Sequence, residues 1–339
     1  MQNEREVVVI TGASAGVGRA TARAFGRRGA RVALIARGRD GLEAAKREIE
    51  SFGGEALVLP LDVSDPEAVE QAAATVEQQF GPIDIWINNA MVSVFSPIME
   101  MQPDEYRRVT EVTYLGYVWG TLAALRRMKP RDRGTIVQVG SALAYRGIPL
   151  QSAYCAAKHA VQGFHDSLRS ELIHDGSNVK VVMVQMPALN TPQFRWVRSR
   201  LPRKAQPVPP IFQPEVAAEA IVWAAYSDRR EVNVGWPTTK AIVGNNFFPG
   251  YGDTYLAKNG YDAQMIDEPE EPNRPDNLWH PLPGDAGAHG VFDDRSTDVS
   301  IELELNKNRT WIAAGAALTV SLLLLFKGRR WICEKERNS

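Results

Sequence analysis

Cysteine is scarce in this chain: Cys155 and Cys333 are the only two in 339 residues. They are too few and too far apart for a disulfide framework or a thiolate metal site. The five histidines have no metal-ligand spacing, so a metal cluster is not expected. An excess of one charge is also lacking. Thirty-nine Lys and Arg against 40 Asp and Glu leave a net charge of −1, which argues against nucleic acid as a partner. No secretory leader is expected, because an apolar run begins within the first ten residues. What is present is 44% hydrophobic and 23% charged residues, a balance that suits a globular core of one large or two small domains.

The apolar run is Val7-Val8-Val9-Ile10, rich in β-branched residues, which reads as a buried strand. It leads into Thr11-Gly12-Ala13-Ser14-Ala15-Gly16-Val17-Gly18 and then a helical stretch over 19–28. A strand, a glycine-rich turn and a helix N-terminus form a phosphate cradle. Gly12 permits unusual backbone angles, while Gly16 and Gly18 permit close approach of a pyrophosphate and close helix packing. The helix terminus adds free N–H groups and a positive dipole.

The second strand, 31–36, ends in Ala36-Arg37 with no acid to bind a ribose 2′-hydroxyl. Arg37 suits a 2′-phosphate instead, which favours NADP over NAD. Arg39 is a second candidate for that contact. A third strand is expected over 57–63, where Asp62 is placed to meet an adenine. Ser64-Asp65-Pro66-Glu67 then starts a helix with a capping residue, a proline and an acid in order. A fourth strand, 83–87, runs into Asn88-Asn89-Ala90.

Downstream, Ser141 ends a strand over 135–140, and Tyr154 and Lys158 follow at helical spacing. As a set, these motifs resemble the short-chain dehydrogenase/reductase family over roughly residues 5–235. The resemblance implies an α/β fold: a doubly wound, Rossmann-like, seven-stranded parallel sheet with helices on both faces. The alternation of strand and helix patterns agrees. It implies NADP(H) held by Gly12, Ser14, Gly16, Val17, Gly18, Arg37, Asp62, Val63, Asn89, Ala90, Tyr154, Lys158, Pro187 and Thr191. It also implies that Tyr154 exchanges a proton with a carbonyl oxygen, that Ser141 binds that oxygen, and that Lys158 holds the nicotinamide ribose. Free tyrosine titrates near 10, and the ammonium of Lys158 is expected to lower that value. Cys155, beside Tyr154, reads as a packing residue.

Three positions depart from the family pattern. Thr113 stands where the family often has an Asn that positions a water in a proton relay to the lysine. An altered relay is expected there, with the threonine hydroxyl free to bond the preceding helical turn. Met91 replaces a usual glycine, and Pro187-Ala188 replaces a common Pro-Gly.

Residues 188–213 correspond to the family's substrate lid. Arg195, Arg198, Arg200, Arg203 and Lys204 lie here with no acid, and Phe194, Val197 and Leu201 share a face at helical spacing. This reads as a lid helix closing the pocket; the same face suits an anionic membrane surface. Residues 236–309 read as a Pro-, Gly- and acid-rich arm or linker, parts of which pack on the domain or on a sister subunit. Residues 310–326 carry no charge and are just long enough, as a helix, for a membrane anchor, followed by a basic tail over 327–339. Export of that tail would oppose the positive-inside tendency, so membrane association is expected rather than a stated topology.

The expected protein is thus a membrane-associated NADP-dependent oxidoreductase with its catalytic domain, 1–235, facing the cytoplasm. Its substrate would be a lipophilic carbonyl or alcohol, membrane lipid a partner, and its state a homodimer or homotetramer through helices near 104–127 and 152–173. A non-catalytic NADP-binding scaffold or sensor is the alternative, and Thr113 is its main support.

Overall fold

The computed structural model describes residues 5–271 and 273–309. Seven strands form one parallel sheet: β1 (Val7–Thr11), β2 (Arg31–Ala36), β3 (Glu55–Pro60), β4 (Ile85–Asn88), β5 (Thr135–Val139), β6 (Lys180–Gln185) and β7 (Glu231–Asn233), in the order 7-6-5-4-1-2-3. β1 is central, with Val8 opposite Val32 on one side and Ile85 on the other. All five β1 residues are buried, as expected for a strand covered on both faces. The chain leaves the β3 edge and re-enters beside β1 at β4, so a cleft opens between their carboxyl ends.

The helices that line this sheet are α1 (Gly16–Arg27), α2 (Arg39–Ser51), α3 (Pro66–Phe80), α4 (Pro103–Thr110), α5 (Gly116–Met128), α6 (Ser152–His174) and α7 (Pro214–Tyr226). Asp65 caps α3, accepting from the Glu67 and Ala68 N–H groups at 2.9 and 3.1 Å. Pro66 sits at the first turn, where its missing donor costs nothing.

Element bounds shift from expectation: the fourth strand runs Ile85–Asn88 rather than over 83–87, and two larger changes have a visible cause. β3 ends at Pro60, because Asp62 Oδ1 accepts from the Ser64 N–H at 3.0 Å and turns the chain toward the cleft. The helix expected over 104–127 is interrupted by a π-helical turn, Glu111–Leu115. There Thr113 Oγ1 donates to the Val92 carbonyl at 2.8 Å and accepts from its N–H at 3.1 Å. The hydroxyl therefore bonds across to another segment, not back to the preceding turn.

Residues 236–300 fold onto the sheet domain within one unit that ends at Ser300. They contain α8 (Trp236–Phe247), α9 (Pro249–Asn259) and two short strands. Met265–Pro269 pairs antiparallel with Arg203–Ala205, and Ser296–Thr297 pairs with Ile211–Phe212. A separate unit begins at Ile301, helical as far as it is described. The apolar stretch 310–326 and the basic tail lie outside the described residues. Among the described residues no helix is long and apolar enough to cross a membrane.

Candidate active site

At the end of β1 the backbone turns through Gly12 (φ 71°) and Gly16 (φ 56°), both in the left-handed region that favours glycine. A Cβ on Gly18 would lie 2.1 Å from the Gly12 carbonyl oxygen, so glycine alone lets α1 pack this close. Ala15 caps α1 without a side-chain acceptor, and no acid occupies its first turn. The helix start is thus left to acceptors from elsewhere. One is the Gly287 carbonyl, 3.1 Å from the Gly16 nitrogen. Asn89 braces the turn from β4, its Nδ2 donating to the Thr11 carbonyl at 2.9 Å and its N–H to Thr11 Oγ1 at 2.9 Å.

The cleft above this turn has a volume of about 700 Å³. Gly12, Ser14, Gly16, Val17, Arg37, Asp62, Val63, Asn89, Ala90, Ser141, Tyr154, Lys158, Pro187 and Thr191 all line it. Three expected residues do not: Arg39, at the start of α2, is off the lining and pairs with Glu43 at 3.3 Å. Gly18 lies in α1 as a packing residue, and Thr113 is fully buried behind the wall, spent on Val92. Met91 and Ala188, the other two departures, are both on the lining.

The far end of the cleft is partly engaged by the chain itself. Arg37 donates to the carbonyls of Asn277 (2.5 Å), Leu278 (3.2 Å) and Trp279 (2.9 Å). Arg108 donates to the Leu278 carbonyl at 3.0 Å and pairs with Asp62. Asp62, expected to meet an adenine, accepts here from Arg108 and Ser64. Burial raises its pKa, but these bonds outweigh it and hold the carboxyl below its ordinary value. Residues 277–287 therefore form an arm along the Arg37 end of the cleft.

At the other end α6 presents Tyr154 and Lys158 toward Ser141, which follows β5. The Ser141 hydroxyl lies near enough to the Tyr154 phenol to lower its pKa and accepts from the Leu143 N–H at 3.1 Å. The Lys158 ammonium lies 5.7 Å from the Tyr154 ring centre. Burial pushes the Tyr154 phenol up, against the lowering effect of Ser141. Burial also pushes Lys158 down to about 7. The expected lowering of Tyr154 by Lys158 is thus not seen. Burial acts on both groups in the sense that disfavours their charged forms, and it outweighs the attraction between them.

Two features escaped the sequence. Ser141 is fixed from behind: its N–H donates to Gln185 Oε1 at 2.6 Å. Gln185 Nε2 donates to Gln162 Oε1 (2.9 Å) and Glu231 Oε1 (2.7 Å), and the Tyr145 hydroxyl donates to Glu231 at 2.8 Å. The second is Tyr117 on α5, fully buried, whose hydroxyl accepts from Lys158 Nζ at 2.9 Å. Neither has a sequence signal, since each contact joins residues on different elements.

The lid does not form the expected helix. Only Gln193–Trp196 is helical, followed by short strands at Arg198–Ser199 and Arg203–Ala205. Val197 and Leu201 still pack together, with Phe95, Leu150, Ala205 and Met265. The basic side chains meet acids from outside the lid. Arg198 and Arg200 reach Glu105 at 2.6 and 2.7 Å, Arg198 also reaches Asp276, and Lys204 reaches Glu268. The local absence of acids was real, but partners arrive from α4 and from residues 262–276.

The sequence model described as short chain dehydrogenase matches residues 6–201. An uncharacterized oxidoreductase, YxnA, of Bacillus subtilis is 33% identical over 276 residues, covering 81% of this chain and 78% of its own. Dehydrogenase/reductase SDR family member 7B of Rattus norvegicus is 39% identical over 191 residues, covering 55% of this chain and 58% of its own. Among solved structures, a metagenomic short-chain oxidoreductase in complex with NADP is 30% identical, with a TM-score of 0.57 over 68% of this chain and 96% of that one. A short-chain dehydrogenase from Streptomyces avermitilis is 27% identical, with a TM-score of 0.64 over 77% of this chain and 98% of that one.

Proposed function

This chain belongs to the short-chain dehydrogenase family, and from that premise we propose that it is an NADP-dependent oxidoreductase interconverting a lipophilic carbonyl and its alcohol. The observation that carries this reading is the meeting of Ser141, Tyr154 and Lys158 at one end of a cleft whose other end is the glycine turn. The residues present suit a dinucleotide. Gly12 and Gly16 keep side chains out of the turn, and α1 starts without a capping side chain.

In this reading the bound nicotinamide supplies or accepts the hydride. The phenol of Tyr154 gives its proton to the carbonyl oxygen during reduction and takes one from the hydroxyl during oxidation. Ser141 donates to the same oxygen and fixes its position. Lys158 holds the ribose, whose hydroxyls would restore hydration lost by the ammonium and favour its charged form. Arg37 takes the 2′-phosphate, and Thr191 and Pro187 close the nicotinamide side.

A lipophilic substrate is supported by the apolar residues on the cleft lining, among them Met91, Ile148, Leu189, Phe194, Trp196 and Leu256. Membrane association is supported by the exposed aromatics of α8, α9 and the residue that joins them, with Trp236, Phe247, Phe248 and Tyr251 each at least 67% accessible. Homo-oligomer formation through α5 and α6 is part of the proposal.

One observation favours a second reading, a non-catalytic NADP-binding scaffold: the Thr113 hydroxyl is committed to Val92 and unavailable to a relay. The deciding experiment is NADPH oxidation by the detergent-solubilised full chain on short, aromatic and long-chain carbonyls, with NADH as comparator. Turnover that disappears in Tyr154→Phe supports the enzyme; NADPH binding without turnover on any carbonyl supports the scaffold.

A further inference from the structure

Among the described residues Lys158 is the only buried lysine, and its ammonium needs partners at that depth. An ammonium has three donors. One goes to the Val139 carbonyl at 2.7 Å and one to the Tyr117 hydroxyl at 2.9 Å. The Tyr117 hydroxyl donates its own proton to the same Val139 carbonyl at 3.0 Å, so its lone pairs are turned to Lys158. The ammonium also lies 4.6 Å from the Tyr117 ring centre, a cation–π distance. Tyr117 stands one helical turn beyond Thr113, whose hydroxyl is spent on Val92. The side chain that reaches Lys158 from this helix is therefore Tyr117.

We propose that Tyr117 is a positioning residue for Lys158: its hydroxyl and ring hold the ammonium charged and aim its remaining N–H at the cleft. The inference rests on the proposed enzymatic reading, in which Lys158 holds the ribose. Tyr117 is no relay, because its proton points to a carbonyl that cannot pass it on. The titratable groups facing Lys158 are Tyr117 from α5 and Tyr154 from its own helix; β5 offers the Val139 carbonyl. Burial acts on Lys158 to disfavour its charged form, and Tyr117 opposes that effect.

The test is NADPH affinity, followed by nicotinamide fluorescence from pH 6 to pH 10, for the wild type, Tyr117→Phe, Tyr114→Phe and Lys158→Met. Affinity in the wild type should fall once Lys158 begins to lose its proton. In Tyr117→Phe the onset should move down by about one pH unit, the consequence of losing one hydrogen bond to a charged group. Tyr114→Phe, a hydroxyl removed from the same packing cluster, should leave the onset in place, and Lys158→Met should abolish it. An identical onset in the wild type and Tyr117→Phe overturns the proposal, as does a wild-type affinity that never falls. Placing 3-fluorotyrosine at position 117 keeps the fold should the phenylalanine variant be unstable; it weakens the acceptor and should give a smaller shift in the same direction. Binding is read without turnover, so a wild type that reduces no carbonyl defeats the enzymatic reading separately.

Discussion

Gln185 holds Ser141 by its backbone. Its Oε1 accepts from the Ser141 N–H at 2.6 Å, and a Cβ on Gly140 would lie 2.2 Å from that same oxygen. The end of β5 is thus locked against β6 at the residue that would bind the substrate oxygen. Gln185→Leu should lower kcat roughly 10- to 100-fold, the cost of a small misplacement. NADPH affinity should stay near that of the wild type, since Gln185 is absent from the cleft lining. Steady-state kinetics with parallel fluorescence titration checks both; an unchanged kcat removes this role.

Tyr154→Phe should lower turnover by about 10²- to 10⁴-fold, the usual worth of one general acid. Folding should be retained, because only the hydroxyl is lost while the buried ring stays. Thermal melts and NADPH binding serve as controls, and full activity in this variant would remove the mechanism.

Arg37→Met should weaken NADPH binding more than NADH binding, by about tenfold or more, as expected for loss of a charge-assisted bond to a phosphate. The same substitution frees the carbonyls of Asn277, Leu278 and Trp279. Limited proteolysis should then cut within residues 277–287 faster than in the wild type. Equal loss for both cofactors would mean that Arg37 serves the arm alone.

The sequence carried the sheet, its order of elements and most of the cleft lining, because those follow from short-range patterns. β-branched runs made strands, glycines made the turn, and Tyr154 and Lys158 shared a face by spacing alone. Long-range features were hidden. The lid showed five basic residues and no acid, and nothing local revealed that Glu105, Asp276 and Glu268 would meet them. The helical spacing of Phe194, Val197 and Leu201 identified an apolar cluster but assigned it the wrong backbone. Arg108 and Tyr117 read as ordinary helix residues; their partners, Asp62 and Lys158, lie on other elements.

Glu105→Gln tests the lid's attachment. The Glu105 side chain is 3% exposed and meets Arg198 and Arg200, which are partly exposed. Removing its charge should cost on the order of 2 kcal/mol, less than a fully buried pair because water screens the arginines. A lower melting temperature with faster cleavage in the lid is the expected result; an unchanged melt would show that the pairs contribute nothing net.

His165 sets an acid limit on stability. Burial above all, with Arg169 and Arg230 adding to it, pushes its imidazole down to about 4, against about 6.5 in an unfolded chain. Between those values the unfolded chain binds the extra proton. The stabilising contribution is therefore complete above about pH 6.5 and lost as pH falls toward 4. His165→Gln should flatten the acid side of a melting-temperature profile; an unchanged slope between pH 6.5 and pH 4 would assign acid unfolding to other groups.

The Gly287 carbonyl at the Gly16 N–H gives the chain an acceptor of its own at the head of α1. A phosphate arriving there exchanges one acceptor for another instead of satisfying a bare donor. The gain is then the difference between an anionic oxygen and a neutral one, so it depends on charge and salt more than on the number of hydrogen bonds. The rival is tethered, and its local concentration stays constant however dilute the protein becomes. Cofactor residence time is in this sense a property of the arm as well as of the turn it faces.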